Sequence, residues 1–386
     1  THVAELYPLL AQVAFPLVGG GFLSITELST EILFAIIAIA LVAVKVIYWN
    51  KFGIHNFRNI FMRITLIVLI NVFTVAAIGI GLNRMGDFYA SWNDLFGIGR
   101  DLKNEAISPQ NLASLNKIDV KRAEKSKNGS LIFRKVITGE KSGVSSNVIV
   151  VFSPSIAKHL KSSKNFNIGT NYQVVELFPG YPGVPSTWIG AMKGLDALEK
   201  MDHEKKIPPT ILIIPAINVV PGLDTECLNI PGEVDVETWL TSDMKSFAAK
   251  FIGVDNRKWA TFGYSTGGWC AAELSIRHQD QFDRAVSLAG YFSPAFSAGI
   301  TSDERKQLIQ QYDLINTLKA STNQIKLLAI YSAQNDFETK SLIRFQAKIG
   351  DLIPLKTIEI PEGGHNIQVW RPYVYTGFEW ISNANS

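Results

Sequence analysis

Ser265 sits in Gly263-Tyr264-Ser265-Thr266-Gly267, between an apolar run (Trp259 to Phe262) and a helix-like stretch that starts at Gly268. A serine hydroxyl is a poor nucleophile until a base takes its proton and a third group orients that base. Both partners are present further along the chain. Two carboxylates, Asp336 and Glu338, lie in Ser332-Ala-Gln-Asn-Asp-Phe-Glu338, just past the apolar run Lys326–Tyr331. His365 lies in Pro361-Glu-Gly-Gly-His-Asn366, past the run Lys356–Ile360, and is the one histidine of six in a glycine-rich loop after a last strand. Serine, carboxylate and histidine, each directly after a strand and in that order, suit acyl transfer through a covalent acyl-serine. Asp336 is the expected orienting acid because the chain reaches it first; Glu338 is the reserve. The competing readings are an ordinary strand-to-helix turn at Ser265 and a surface turn aspartate at 336.

These side chains need a rigid frame. Trp259–Phe262 predicts a buried strand, and Gly263 and Gly267 suit a turn so tight that a side chain would strike its neighbours. Strand, glycine-flanked serine and helix together form the nucleophile elbow of α/β-hydrolases. The helix turns its amino end toward the serine, where negative charge develops. Two backbone N–H groups must also face the oxyanion. The expected donors are Thr266, next to the nucleophile, and Tyr181, in Pro179-Gly-Tyr-Pro-Gly-Val-Pro185, where Pro182 has no N–H to offer. Further strands are expected at Leu131–Thr138, Asn147–Phe152, Gln173–Phe178 and Ile211–Pro215. Helices are expected at Ile189–Met201, Val236–Phe251, Gly268–His278 and Ser341–Ile349. Buried strands alternating with helices predict a mostly parallel sheet covered on both faces, with the early strands as an antiparallel edge.

The chain has 386 residues, 18% of them charged, and its apolar surplus is concentrated near the start. Ile32–Trp49 carries one charge, Lys45, and Ile64–Leu82 carries none. Each approaches the ~20 residues that cross a hydrocarbon core. Lys51, Arg58 and Arg63 lie between them and residues 1–31 hold no Lys or Arg. The positive-inside rule then puts that connection in the cytoplasm and everything after Leu82 outside, a two-pass arrangement in the plasma membrane. Residues 1–30 lack the basic start of a standard signal peptide, and the run Leu9–Leu23 reads as an interfacial or re-entrant piece. The expected division is a membrane region at 1–82, a juxtamembrane linker at 83–130 and a hydrolase domain at 131–386. The linker's basic cluster (Lys117, Lys121, Arg122, Lys125, Lys127) reads as a solvated face before a binding site for anionic head groups. A net charge of +3 without a nucleic-acid motif argues against nucleic-acid binding.

The two cysteines are Cys227 and Cys270. Outside the membrane such a pair suits a disulfide pinning the 224–227 loop to the elbow helix; two free buried thiols are the other reading. The bridge would bring Asp224 and Glu226 to the pocket mouth, where they would bind a polar acceptor such as a sugar. Neither cysteine has a partner at zinc-binding spacing, and no metal or cofactor is expected.

The stretch from Tyr172 to His365 resembles the esterase family that contains esterase D and the secreted mycolyltransferases of actinobacteria. The matching segments are LFPGYPG (177–183), IIPAIN (213–218), ETWLTSD (237–243), GYSTGGWCA (263–271), FDRAVSLAGYFSP (282–294) and GGHNIQVW (363–370). The resemblance covers about half of the chain. It implies an α/β-hydrolase fold, a Ser-acid-His triad without metal, and hydrolysis of an acyl ester or transfer of its acyl group to a sugar hydroxyl. Ser265 is then the nucleophile, His365 the base, and Tyr181 and Thr266 the oxyanion donors. The mycolyltransferases use a glutamate a little further into the acid loop, whereas this chain offers Asp336 first. The two spans are a departure from the secreted members. The expected substrate is an acyl ester or lipid beside the bilayer; the rival expectation is a membrane-anchored binding or scaffold module on a hydrolase fold without activity.

Overall fold

The computed structural model describes residues 27–49, 56–86, 123–162, 168–220, 222–296, 301–321 and 325–383, together with Leu23, Ile25 and Trp92. The run before Leu23, most of the 83–130 linker, and Lys117, Lys121 and Arg122 lie outside the described residues. The chain forms two compact units, Thr1–Leu102 and Lys103–Ser386.

The first unit contains helices α1 (Leu28–Tyr48) and α2 (Phe57–Gly86). Both are long and apolar enough to cross a membrane, with peak mean hydropathies of 2.5 and 2.4. A core helix would hide its apolar side chains, but Ile39, Val46, Val75 and Ile78 all face outward. The two helices meet through Phe34 and Phe73, whose ring centroids are 5.5 Å apart. Helix α2 begins earlier than the hydropathy alone indicated, so Arg58 and Arg63 ride on its first two turns. The Arg63 guanidinium donates to the Trp49 carbonyl at 2.7 Å and lies 4.3 Å over the Trp49 ring.

In the second unit nine strands form one sheet among the described residues: β1 (Glu124–Lys125), β2 (Leu131–Thr138), β3 (Ser145–Phe152), β4 (Gln173–Phe178), β5 (Thr210–Pro215), β8 (Trp259–Tyr264), β9 (Phe282–Leu288), β10 (Lys326–Ser332) and β11 (Leu355–Ile360). Strands β6 (Asn229–Ile230) and β7 (Val234–Asp235) make a separate small hairpin. The order across the sheet is β1-β2-β3-β5-β4-β8-β9-β10-β11. From β5 to β11 every pairing is parallel, and β1 to β3 form the antiparallel edge. The continuous apolar runs follow from this, because a parallel strand is buried on both faces.

Helices α3 (Pro154–Ser162), α4 (Pro185–Ile189), α5 (Gly194–His203), α6 (Thr266–Arg277), α7 (Ser302–Gln311), α8 (Leu314–Lys319), α9 (Asp336–Ile349), α10 (Ile367–Trp370) and α11 (Tyr373–Ser382) complete the unit, with a helical segment at 236–252 that contains two wide π turns. Adjacent residues of β8 show that both faces of the sheet are covered. The Thr261 hydroxyl reaches the Ala271 carbonyl of α6 at 2.9 Å, while Phe262 points the other way and meets Phe378 of α11 edge-on at 5.6 Å. The expected helix at 189–201 is broken in two around Gly190–Lys193, and the expected helix at 341–349 starts five residues earlier, at Asp336. The second difference decides the site chemistry.

Candidate active site

The strand order reverses between β4 and β8, since the chain runs from β4 outward to β5 and later returns to the other side of β4 with β8. Loops leaving the carboxyl ends of two such strands diverge and open a crevice. Phe178 pairs with Gly263, so the loops that follow β4 and β8 leave the sheet side by side. On the far side Ser332 pairs with Ile360, which brings the loops after β10 and β11 together.

Ser265 has φ 55° and ψ −126°, a strained conformation for a side chain-bearing residue. The turn around it leaves no room. A Cβ on Gly263 would fall 1.8 Å from the Gly267 carbonyl oxygen, and one on Gly267 would fall 2.2 Å from that of Phe178. The Ser265 N–H is tied to the Leu288 carbonyl of β9 at 2.9 Å. The hydroxyl is thereby raised off the sheet, 2.8 Å from His365 Nε2.

His365 Nδ1 is 2.7 Å from Glu338 Oε1. Glu338 is fully buried, and its other oxygen accepts the Ser332 N–H at 2.9 Å. A carboxylate can only accept, so Nδ1 carries the proton and Nε2 is left to accept from Ser265. Trp370 packs edge-on against the imidazole, with ring centroids 4.5 Å apart. Nothing in the serine, carboxylate and histidine order pointed to that tryptophan; its place within GGHNIQVW was the available signal.

The acid expected at Asp336 is corrected by this geometry. Asp336 is the first residue of α9, its side chain is 86% exposed, and it meets Lys340 one turn on at 2.7 Å. That pairing holds its carboxyl below the ordinary range. Asn335 caps the helix, accepting from the Phe337 and Glu338 N–H groups. Residues 336 and 338 then differ by about 200° around the axis, so with Asp336 outward Glu338 turns inward to the histidine. An Asn followed three residues later by Glu is a helix-start signature, and reading it that way would have pointed to Glu338.

Thr266 is the first residue of α6, where helix geometry leaves the N–H without an intrahelical acceptor. Tyr181 is a central residue of a turn closed by the Gly183 N–H on the Gly180 carbonyl at 2.7 Å. A Cβ on Gly180 would lie 3.0 Å from Ser265 Cβ, so this turn rests against Ser265.

Cys227 and Cys270 are joined in a disulfide, with Cα atoms 5.7 Å apart. Asp224 and Glu226 are not at the pocket mouth, which corrects the expectation that they bind an acceptor: both are buried, at 0% and 1% exposure. Glu226 instead organises the wall behind the elbow. One of its oxygens accepts the N–H groups of Ala295 (3.2 Å) and Phe296 (2.6 Å), and the other accepts the Tyr291 hydroxyl at 2.9 Å. That hydroxyl lies 3.3 Å from Thr266 Oγ1. Burial, with Asp224 beside it, pushes the Glu226 carboxyl up to about 8. The bridged loop lies in the interior, where the side chain of Glu226 meets protein. Among the described residues no cluster of His, Cys, Asp or Glu is arranged to hold a metal ion.

No known-family model matches the chain. An uncharacterised protein of Corynebacterium glutamicum is 22% identical over 231 residues, 54% of this chain and 52% of that protein, so the chain spans about half the length of this curated relative. Solved structures are similar over about two thirds of the chain. A ferulic acid esterase aligns with TM-score 0.54 at 16% identity, over 66% of this chain and 98% of its own. An S-formylglutathione hydrolase from Agrobacterium tumefaciens aligns with TM-score 0.54 at 14% identity, over 69% and 99%. The fluorophosphonate-binding serine hydrolase FphF of Staphylococcus aureus does so with TM-score 0.54 at 14% identity, over 66% and 99%. The second unit has the α/β-hydrolase fold.

Proposed function

We infer that this chain is a serine hydrolase of acyl esters. The observation that carries the reading is the continuous relay from Ser265 through His365 to the buried Glu338, mounted on a strained elbow. In this reading His365 Nε2 takes the Ser265 proton as the hydroxyl attacks the ester carbonyl, and Glu338 steadies the resulting imidazolium. The Thr266 and Tyr181 N–H groups receive the oxyanion. His365 then protonates the departing alkoxide, leaving an acyl-Ser265. Water, activated by the same histidine, releases the acid; a sugar or lipid hydroxyl in its place makes the enzyme an acyltransferase like the mycolyltransferases. Support for ester chemistry comes from neighbours named as esterase and hydrolase on this fold.

In the same proposal α1 and α2 anchor the chain in the plasma membrane with the hydrolase unit outside the cytoplasm. The basic residues between the spans support this orientation, and a disulfide suits the oxidising side. The substrate class is then an acyl ester of the lipid or cell-envelope surface. A fluorophosphonate probe tests the chemistry: the wild-type protein takes one label per chain, and Ser265→Ala, folded, takes none. Labelling that survives in Ser265→Ala, or ester hydrolysis by that variant at the wild-type rate, would refute it.

A further inference from the structure

The turn Gly180–Gly183 has two glycines at its ends, and glycine is the residue least able to hold one backbone conformation by itself. Its own bond is the Gly183 N–H on the Gly180 carbonyl. The Asn218 side chain supplies the rest. Its Nδ2 lies 2.6 Å from the Gly183 carbonyl oxygen and 3.2 Å from that of Gly180. Two carbonyl oxygens converging on one end of an amide require the NH2 there, one hydrogen for each, so the side-chain orientation follows from the contacts. The amide straddles the turn, with Tyr181 and Pro182 at the apex between its two anchors.

Asn218 stands on a fixed base. It follows β5 by three residues, and the chain between is tied down on several sides. The Ala216 N–H donates to the Asn147 carbonyl of β3 at 2.9 Å. The Ala216 carbonyl accepts the indole N–H of the fully buried Trp239 at 3.1 Å, and the Ile217 carbonyl accepts the Thr225 hydroxyl at 3.2 Å. Sheet and core thus fix Asn218, and Asn218 fixes the turn that touches Ser265.

We propose that Asn218 is a positioning residue, whose amide aims the Tyr181 N–H at the oxygen that becomes negative during attack by Ser265. This rests on the acyl-serine reading above. An oxyanion donor works through its placement at the transition state, and a shift of about 1 Å can cost ~10²-fold. The loss therefore belongs in kcat rather than in KM.

The test uses the full chain purified in detergent, with p-nitrophenyl butyrate as substrate and phenylboronic acid as a probe that forms a tetrahedral adduct on serine. Asn218→Ala removes both bonds. Asn218→Asp keeps the volume but sets carboxylate oxygen against two carbonyls, and at this half-exposed position it provides a second folded variant. Both variants are expected to lose roughly 10²-fold in kcat per folded molecule, with KM within about threefold, and to lose boronate affinity in parallel. A merely structural asparagine would lower the melting temperature and leave kcat per folded molecule and boronate affinity unchanged; that result overturns the proposal. So does a loss confined to KM. Ser265→Ala run alongside separates the two readings. If it hydrolyses the ester normally, the acyl-serine reading itself has failed. If it is inactive while both Asn218 variants keep wild-type kcat, only the role of Asn218 has failed.

Discussion

Glu338→Gln is the most informative substitution, because the surroundings of Glu338 leave glutamine no good arrangement. In the native site one carboxylate oxygen accepts from His365 Nδ1 at 2.7 Å and the other from the Ser332 N–H at 2.9 Å, with the side chain fully buried. If the amide keeps its oxygen toward His365, its NH2 faces the Ser332 N–H, donor against donor in a buried place. If it turns over, the NH2 faces Nδ1. The imidazole must then carry its proton on Nε2, where it can no longer accept from Ser265. Loss of the correct tautomer in such a triad costs ~10⁴ in kcat, about 5 kcal/mol of transition-state stabilisation. Asp336→Asn should stay within about twofold of wild type, because Asp336 is exposed and meets only Lys340, a surface pair that solvent screens. The assay is kcat/KM for p-nitrophenyl butyrate, with circular dichroism to establish folding. A crippled Asp336→Asn beside a nearly active Glu338→Gln would refute the assignment and return the acid role to Asp336.

Three further outcomes are expected. The Cys227–Cys270 bridge spans 43 residues; opening it by Cys227→Ser with Cys270→Ser should cost about 4 kcal/mol on the chain-entropy account and lower the melting temperature by roughly 10 °C, and a shift under ~1 °C would contradict this. The Glu226 carboxyl is raised from 4.5 to about 8 in the folded protein, so the native state holds a proton that the unfolded chain has released. Stability should accordingly fall by up to about 1.4 kcal/mol per pH unit between pH ~4.5 and ~8 and level off above that. Denaturant unfolding at several pH values should show a shallower decline for Glu226→Gln, and identical slopes would exclude Glu226 as the source. Protease added to intact cells or spheroplasts should cut the hydrolase unit; cutting seen only after the membrane is opened would invert the orientation.

Features that depend on neighbours along the chain were legible before folding. Two uniformly apolar runs could only be helices facing something apolar, and α1 and α2 keep that character. Buried runs separated by helical stretches implied the parallel sheet. Gly263, Ser265 and Gly267 required a turn in which side chains have no room, because a Cβ at either glycine would strike a backbone carbonyl oxygen. His365 stood out because a histidine in a glycine-rich loop has no packing role to fill. Features that depend on direction emerge from contacts between distant segments. Asp336 and Glu338 are two residues apart, and only the start of α9 at the Asn335 cap settles which of them turns inward. Asp224 and Glu226 lie in a loop whose sequence looks solvent-facing, yet the Cys227 bridge and the backbone of Ala295 and Phe296 draw it into the interior. Asn218 ends the segment IIPAIN, which shows no role for its side chain; its two bonds, to carbonyls 35 and 38 residues away, exist because β4 and β5 are neighbours in the sheet. Local sequence specifies which conformations a segment can adopt, and contacts between distant segments specify which way each side chain then points.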